Sequence, residues 1–325
     1  MTIRATIVAD SISDAGKRIT TMQLRYPRFI HAEELTHRVL STTPEEIVIQ
    51  TIADGLMYDE NLSRNASSSR AIPVNKLIQD VLDDTAKPIH WGKNQPGMQA
   101  DEEHTAPVDV GLALGFHRVH EVSPQEAWLI TRNQMVTMAR AFDAAGYHKQ
   151  IVNRLLEPFS HINVVVTATE WANFFGLRRH NGAQPEIHEL ADKMFDAMEY
   201  SKPVKLYEGQ WHVPYVRDDD KDIWDYGLAH DLDLKPLAIK LSVARCARVS
   251  YLTHDGKKPD IASDLALYDR LVGSEPLHAS PAEHQATPDK TFLRGSEPEF
   301  EQPNLHGNFI GWVQYRKTLP NENIQ

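Results

Sequence analysis

The sequence predicts an α+β protein, a mostly helical single domain (1–325) with a modest antiparallel sheet. Three observations predict it. Capped stretches with apolar residues at helical spacing outnumber the stretches of β-branched and aromatic residues. The composition, 41% hydrophobic and 24% charged over 325 residues, is that of a folded globular chain. The longest apolar run, Ile162–Ala168, is broken by Asn163 and is far too short to span a bilayer.

Residues 18–31 mix β-branched and aromatic residues with partial alternation, so a strand is expected there, ending near Pro27. TPEE at 43–46 gives a Thr N-cap, a Pro in the first turn and a Glu at the third position. Ile49, Ile52, Ala53 and Leu56 follow at helical spacing. SPQE at 123–126 repeats the capping signal and opens a helix whose stripe of Trp128, Met135, Met138 and Phe142 runs to Gly146. A second helix is expected over 148–156, stopping before Pro158. Ile162–Val166 reads as a short buried strand or helix, because periodicity does not separate the two. Helices are expected over Thr167–Arg178, Pro185–Met198, Leu237–Ser250 and Ser263–Val272. Three stretches read as loops: 83–109, the acidic segment 217–236 with seven aspartates, and the Pro-rich 285–304.

The net charge of −11 disfavours bulk nucleic-acid binding, since a phosphate backbone needs a positive face. It leaves room for a small anionic substrate held by a few arginines. The single cysteine, Cys246, forms no internal disulfide or thiolate cluster and suits a reducing compartment. The opening residues carry no basic region followed by an apolar stretch. The expectation is a cytoplasmic protein with no membrane partner. No nucleotide-binding glycine loop, zinc-protease or nucleophile-elbow motif is present. His117 and His120, followed by Glu121, are a weak metal signal, because isolated pairs of histidines are usually surface residues.

Two short segments stand out, THRVLS at 36–41 and SRNASSSRA at 63–71. The second sets three serines between two arginines, which supplies the guanidinium forks and hydroxyls that a phosphate monoester needs. A capped, serine-rich turn explains the same residues without any ligand.

Read together without the residues between them, the two segments resemble the signature of the flavin-dependent thymidylate synthases, RHRxxSxNxxSxRY. His37, Arg38, Ser41 or Ser63, Asn65, Ser68 and Arg70 match; Thr36 and Ala71 depart. LLEP after Arg154, NFFGLRRHNGAQPEIHELA at 173–191, ARVSY at 247–251 and HASPAEH at 278–284 resemble further blocks of that family. In the family the last two precede the signature. Here they follow everything else, which implies a circularly permuted order similar to bacteriophage versions. Residues 42–63 form an insertion within the signature, either a neutral surface addition or a lid or subunit contact.

The resemblance implies an FAD-dependent enzyme that methylates deoxyuridylate (dUMP) at C5, with methylenetetrahydrofolate as one-carbon donor and NADPH as reductant. It implies a homo-oligomer, a tetramer with sites shared between subunits, in the cytoplasm of the host if the gene is a phage's. By position, Arg178 contacts the uracil and favours its ionisation, with Arg179 next to it as the surface alternative. Arg154 and Arg70 match phosphate arginines, and Ser67, Ser68 and Ser69 lie on the nucleotide, Ser68 polarising it. Glu33 and Glu34 fall on a substrate-contacting segment. His37, Arg38, Asn65, Asn173, Ser250, His278 and Ser280 match flavin contacts. Cys246 lacks the setting of a catalytic cysteine. Thr167 and Thr169 replace a flavin-binding Asn-x-Arg, and Ala66 replaces an acidic flavin contact, so Arg25, Arg28 or the segment GWVQYRK at 311–317 would have to help. Two alternatives stay open: a different pyrimidine product or substrate, such as hydroxymethylation, and a degenerate flavin or nucleotide binder.

Overall fold

The structure is a computed structural model describing residues 3–31, 62–66, 72–97, 100–217, 219–248, 260–273, 277–278, 280–294, 297–320 and 322. For 62–66, 294 and 297–298 it describes the backbone.

The strands in chain order are β1 (Arg4–Ser13), β2 (Arg18–Pro27), β3 (Leu62–Ala66), β4 (Val108–Asp109), β5 (Glu121–Val122), β6 (His161–Ala168) and β7 (Val204–Leu206). After them come β8 (Ala286–Pro288), β9 (Thr291–Arg294), β10 (Glu297–Phe300) and β11 (Trp312–Gln314). The α-helices are α1 (Val74–Asp83), α2 (Pro124–Ala144), α3 (Lys149–Val152), α4 (Ala172–Arg178), α5 (Pro185–Glu199), α6 (Lys221–Ala229), α7 (Leu234–Arg248) and α8 (Ile261–Val272).

A five-stranded sheet in the order β3-β6-β2-β1-β7 organises the chain, antiparallel except where β7 joins β1 in parallel. Alternation along a strand sends successive side chains to opposite faces. Met22, Leu24 and Tyr26 of β2, with Ile162, Val164 and Val166 of β6, face one side. There they pack on Phe174 of α4 and on Ile187, Leu190 and Met194 of α5. Fully burying an apolar side chain of this size contributes about 1.5–3 kcal/mol, so this face fixes the register. Val165 points to the other side and packs on Cys246 of α7. A separate cluster joins α1 and α2 through Leu77, Val81, Val136 and Ala139 to Leu156 and Phe159.

The helix opened by SPQE runs Pro124–Ala144 behind a complete capping box, in which Ser123 and Glu126 each hold the other's backbone N–H. Pro185 likewise starts α5. Elsewhere the structure corrects the sequence. The expected helix over 148–156 stops at Val152 and continues as 3₁₀ turns, Asn153–Phe159, which take in Pro158. The expected helix from Thr167 begins at Ala172, because Thr167 and Ala168 are held in β6 by pairing with Thr21 and Thr20 of β2. The acidic segment 217–236 is no loop: it holds all of α6 and the start of α7. Its charges serve local structure, since Lys221 pairs with Asp225 and Arg217 with Asp219. The stretch 285–304 contains β8, β9 and β10, two of them a tight antiparallel pair. Of the insertion, residues 62 and 63 open β3; residues 42–61, with the helix expected over 44–57, lie outside the described residues.

The C-terminal part returns to the start of the chain. The Trp312 indole donates to the Lys17 carbonyl, 3.2 Å, in the β1–β2 turn. Gly311 has φ +79°, and an added Cβ would meet Phe300 and Lys17 within 3.0 Å, so glycine is required there. The turn Ser280–Glu283 packs on both α7 and β3. Segments more than 200 residues apart in sequence thus meet on the sheet.

Candidate functional site

β6 is the axis of the site. The 3₁₀ turns bearing Arg154 lead into it, and α4, ending at Arg178, leaves it. Trp171 and Phe174 are buried and Phe175 stacks on Trp171, so an aromatic wedge anchors this short helix. The two arginines at its C-terminal end differ sharply. Arg179 is committed: its Nε donates to Asp192 at 2.7 Å and its guanidinium lies 3.8 Å over the Phe195 ring. Arg178 is half-buried, and its Nε is buried with no hydrogen-bond partner among the described residues. A buried guanidinium N–H without a partner is costly. Such a group is suited to an acceptor arriving from outside the chain.

Arg154 is exposed and pairs through Nη1 with both oxygens of Glu157, at 3.0 and 3.1 Å. Arg28, in the 3₁₀ turn after β2, reaches the same carboxylate with its Nε at 3.4 Å. Burial lowers the pKa of Arg28; Glu157 opposes that shift and the neighbouring Arg154 adds to it.

On the opposite face of the sheet a buried polar chain crosses three elements. Ser11 Oγ bonds His212 Nδ1 at 2.9 Å, and His212 Nε2 bonds Thr21 Oγ1 at 2.8 Å. Thr21 and Thr167 share a bond of 2.7 Å, and Thr167 Oγ1 reaches His284 Nδ1 at 2.8 Å. Burial pushes both imidazoles down to about 3, so each is neutral at pH 7. His284 Nε2 is buried without a partner among the described residues. None of His212, Thr21 or Ser11 stood out in the sequence, because nothing local marks bonds that span more than a hundred residues. The motif ending in His284 was the one available signal.

This chain explains the two departures at 167 and 169. Thr167 is fully buried, with its hydroxyl held inside the protein, and the Thr169 hydroxyl accepts the Ile310 N–H at 3.1 Å. These two positions therefore do not fit as contacts for a flavin. Asn173, His278 and Ser280 are exposed, and of these a ligand's polar atoms could be held. Glu33, Glu34, His37, Arg38, Ser67, Ser68, Ser69, Arg70 and Ser250 lie outside the described residues, and of Asn65 only the backbone, in β3, is described. Cys246 is buried and its thiol pKa is pushed well up by desolvation, which removes it as a nucleophile. His117 and His120 are both exposed; the His120 N–H donates to Asp109 and its ring meets Phe116 edge-on. Among the described residues no helix is long and apolar enough to cross a membrane.

Residues 137–204 match the family model described as thymidylate synthase complementing protein (Thy1). The match takes in Arg154, Thr167, Asn173 and Arg178. No curated protein matches the chain. Two solved structures show a weak likeness, both of a UMP/dUMP methylase, PolB, from Streptomyces cacaoi. The one bound with 5-Br dUMP is 16% identical with a TM-score of 0.36, over 61% of this chain and 90% of that one. The one bound with 5-Br UMP is 15% identical with a TM-score of 0.35, over 61% and 88%.

Proposed function

Since the chain carries a segment of the flavin-dependent thymidylate synthase family over residues 137–204, we propose that it modifies a pyrimidine nucleotide at C5. Its substrate in this reading is dUMP, its one-carbon donor methylenetetrahydrofolate and its product dTMP. The observation that carries the reading is Arg178: a half-buried cation at the end of α4, inside the family segment, with a buried N–H that has no partner among the described residues.

A fixed guanidinium beside the acidic N3–H of uracil stabilises the anion and lowers that group's pKa. Arg178 does this while Arg179, tied to Asp192 and Phe195, holds the end of the helix in place. Arg154 takes the phosphate, with Arg70 and Ser67–Ser69 beside it; Ser68 polarises the pyrimidine, and Glu33 and Glu34 border it. FAD, when bound and reduced by NADPH, would supply the hydride. Asn173, His278 and Ser280 would hold that cofactor together with His37, Arg38, Asn65 and Ser250. The packing of the 280–283 turn on β3 supports this, since it brings the HASPAEH motif to the strand that carries Asn65. It also supports a circularly permuted order, as does the Trp312–Lys17 contact, which keeps the two ends of the described chain close.

Arg154 precedes β6 and Arg178 follows it. Eight extended residues carry the chain about 23 Å. A homo-oligomer, by the resemblance a tetramer, in which one copy's Arg154 serves its neighbour's Arg178 would relieve that separation. The setting in this reading is the cytoplasm.

The internal commitment of Thr167 and Thr169 favours a second reading, a nucleotide binder that has lost its flavin. The test is to purify the chain, record its flavin absorbance, and follow NADPH oxidation and product mass with dUMP. A bound flavin and a product of thymidylate mass are expected. A hydroxymethyl product would change the reaction, and a colourless protein that takes up no FAD would leave only the binder.

A further inference from the structure

Glu157 sits where two guanidinium groups converge. Arg28 comes from the turn that ends β2, and Arg154 and Glu157 come from the 3₁₀ turns before β6. The Glu157 side chain is only 21% exposed, and one of its oxygens takes Arg28 at 3.4 Å and Arg154 at 3.0 Å. Two cations thus share one carboxylate, and the trio keeps a formal charge of +1 in a chain of net −11. The backbone that carries Arg28 and Glu157 is held independently of Glu157's side chain. The Arg28 backbone N–H donates to the Ser160 carbonyl at 2.9 Å, while Ser160 caps the Glu157 carbonyl through both its N–H and its hydroxyl. These bonds do not involve the Glu157 carboxylate, so displacing it leaves them intact.

We propose that Arg28 and Arg154 together form a seat for a phosphate monoester, and that Glu157 fills this seat until the phosphate displaces it. The inference rests on reading Arg154 as a phosphate arginine; it adds Arg28 as a further binding residue and Glu157 as an internal competitor. The chemistry favours the exchange. A phosphate monoester brings about −1.5 to −2 charge and three acceptor oxygens against one charge and two oxygens for the carboxylate. It can neutralise both guanidinium groups, which a lone carboxylate leaves under-compensated. The competitor sets a threshold: weak anions fail to displace it, and a nucleotide that gains further contacts succeeds.

The test is calorimetric titration of the full chain with inorganic phosphate, deoxyuridylate and deoxyuridine. Glu157→Gln keeps the shape and removes the competing charge, so it should tighten phosphate and deoxyuridylate by about 3- to 10-fold. Arg28→Ala should weaken both about 10-fold or more, and deoxyuridine should respond to neither change. Arg28→Lys keeps the charge but loses the fork; it should fall between, and it carries the test if Arg28→Ala does not fold. Anion binding that weakens or stays level in Glu157→Gln would overturn the proposal, as would anion binding indifferent to Arg28. Deoxyuridylate that binds tightly but ignores both residues removes the seat and leaves the nucleotide reading intact. Phosphate that responds to both variants, with deoxyuridylate bound no tighter than phosphate, keeps the seat and removes the nucleotide.

Discussion

The two polar regions on either side of β6 solve opposite problems. The chain Ser11–His212–Thr21–Thr167–His284 is buried, uncharged and bonded at every internal link. Arg28, Arg154 and Arg178 are cationic, partly exposed, and bonded only in part. A buried polar group must find its partners within the fold, since leaving one unsatisfied costs ~1–3 kcal/mol. A binding cation must do the reverse and keep capacity for something outside. The difference predicts that damage to the first region appears in stability and damage to the second in turnover.

The largest expected effect is on the buried side and is driven by pH. His212 and His284 are held near 3 in the folded chain against about 6.5 when unfolded. Below 6.5 the unfolded chain binds protons that the native one refuses, so the stability present above 6.5 is lost as pH falls towards 3. At 1.36 kcal/mol per unit and residue, these two imidazoles alone should remove on the order of 4 kcal/mol between pH 7 and pH 5, and His161, lowered to about 4 by burial, adds to that loss. Urea denaturation at the two values measures it. An unchanged midpoint would mean that the imidazoles are solvated and the chain of bonds is open.

Next comes the comparison within α4. Arg178→Ala removes a preorganised charge from a developing uracil anion, for which ~3–4 kcal/mol is typical, or about a hundredfold or more in turnover. Its melting temperature should hardly move, because the residue's Nε makes no bond among the described residues. Arg179→Ala should do the opposite, lowering the melting temperature through loss of Asp192 and Phe195 and sparing kcat. Equal losses of turnover in the two variants would erase the distinction between them.

A smaller effect belongs to Thr167. Replacing it with Val keeps the shape but strands Thr21 and His284 Nδ1, at a cost of about 2 kcal/mol. Thr167→Ser should restore most of it. If Thr167→Val is as stable as the parent but binds flavin differently, the hydroxyl faces a ligand and the buried chain has been misassigned.

These regions were unequally legible in the sequence. Arg154 and Arg178 were visible because short blocks surround them, Arg28 lay in none, and α2 was visible because Ser123 and Glu126 form a local cap. The polar chain was not, since its bonds join residues 117 to 201 positions apart, beyond the reach of any window. β1 escaped for a related reason: Asp10 interrupts its apolar pattern and is nevertheless buried, satisfied by Arg18, Thr20 and Ser201. Thr167 and Ala168 read as helix until pairing with β2 placed them in a strand. The strands of 285–304 lie in a stretch whose prolines and charges signal a loop, and the partners that stabilise β8 come from His212 and β11.

The smallest expected effect separates two chemistries on the arginine side. Ser68 belongs to the serine-rich stretch beside Arg70, and in the proposed reaction its hydroxyl only hydrogen-bonds the pyrimidine. A single neutral bond contributes ~0.5–1.5 kcal/mol, so Ser68→Ala should slow turnover about 2- to 12-fold with nucleotide affinity little changed. A nucleophile could not be lost so cheaply, because the covalent step has no other path and activity would vanish. Rapid-quench turnover of Ser68→Ala with deoxyuridylate decides between them. Loss of all activity with nucleotide still bound, alongside an Arg178→Ala enzyme that works nearly normally, would move the chemistry from electrostatic activation to covalent catalysis. The buried cysteine could not then take the serine's place, because its thiol is desolvated and held in the neutral form.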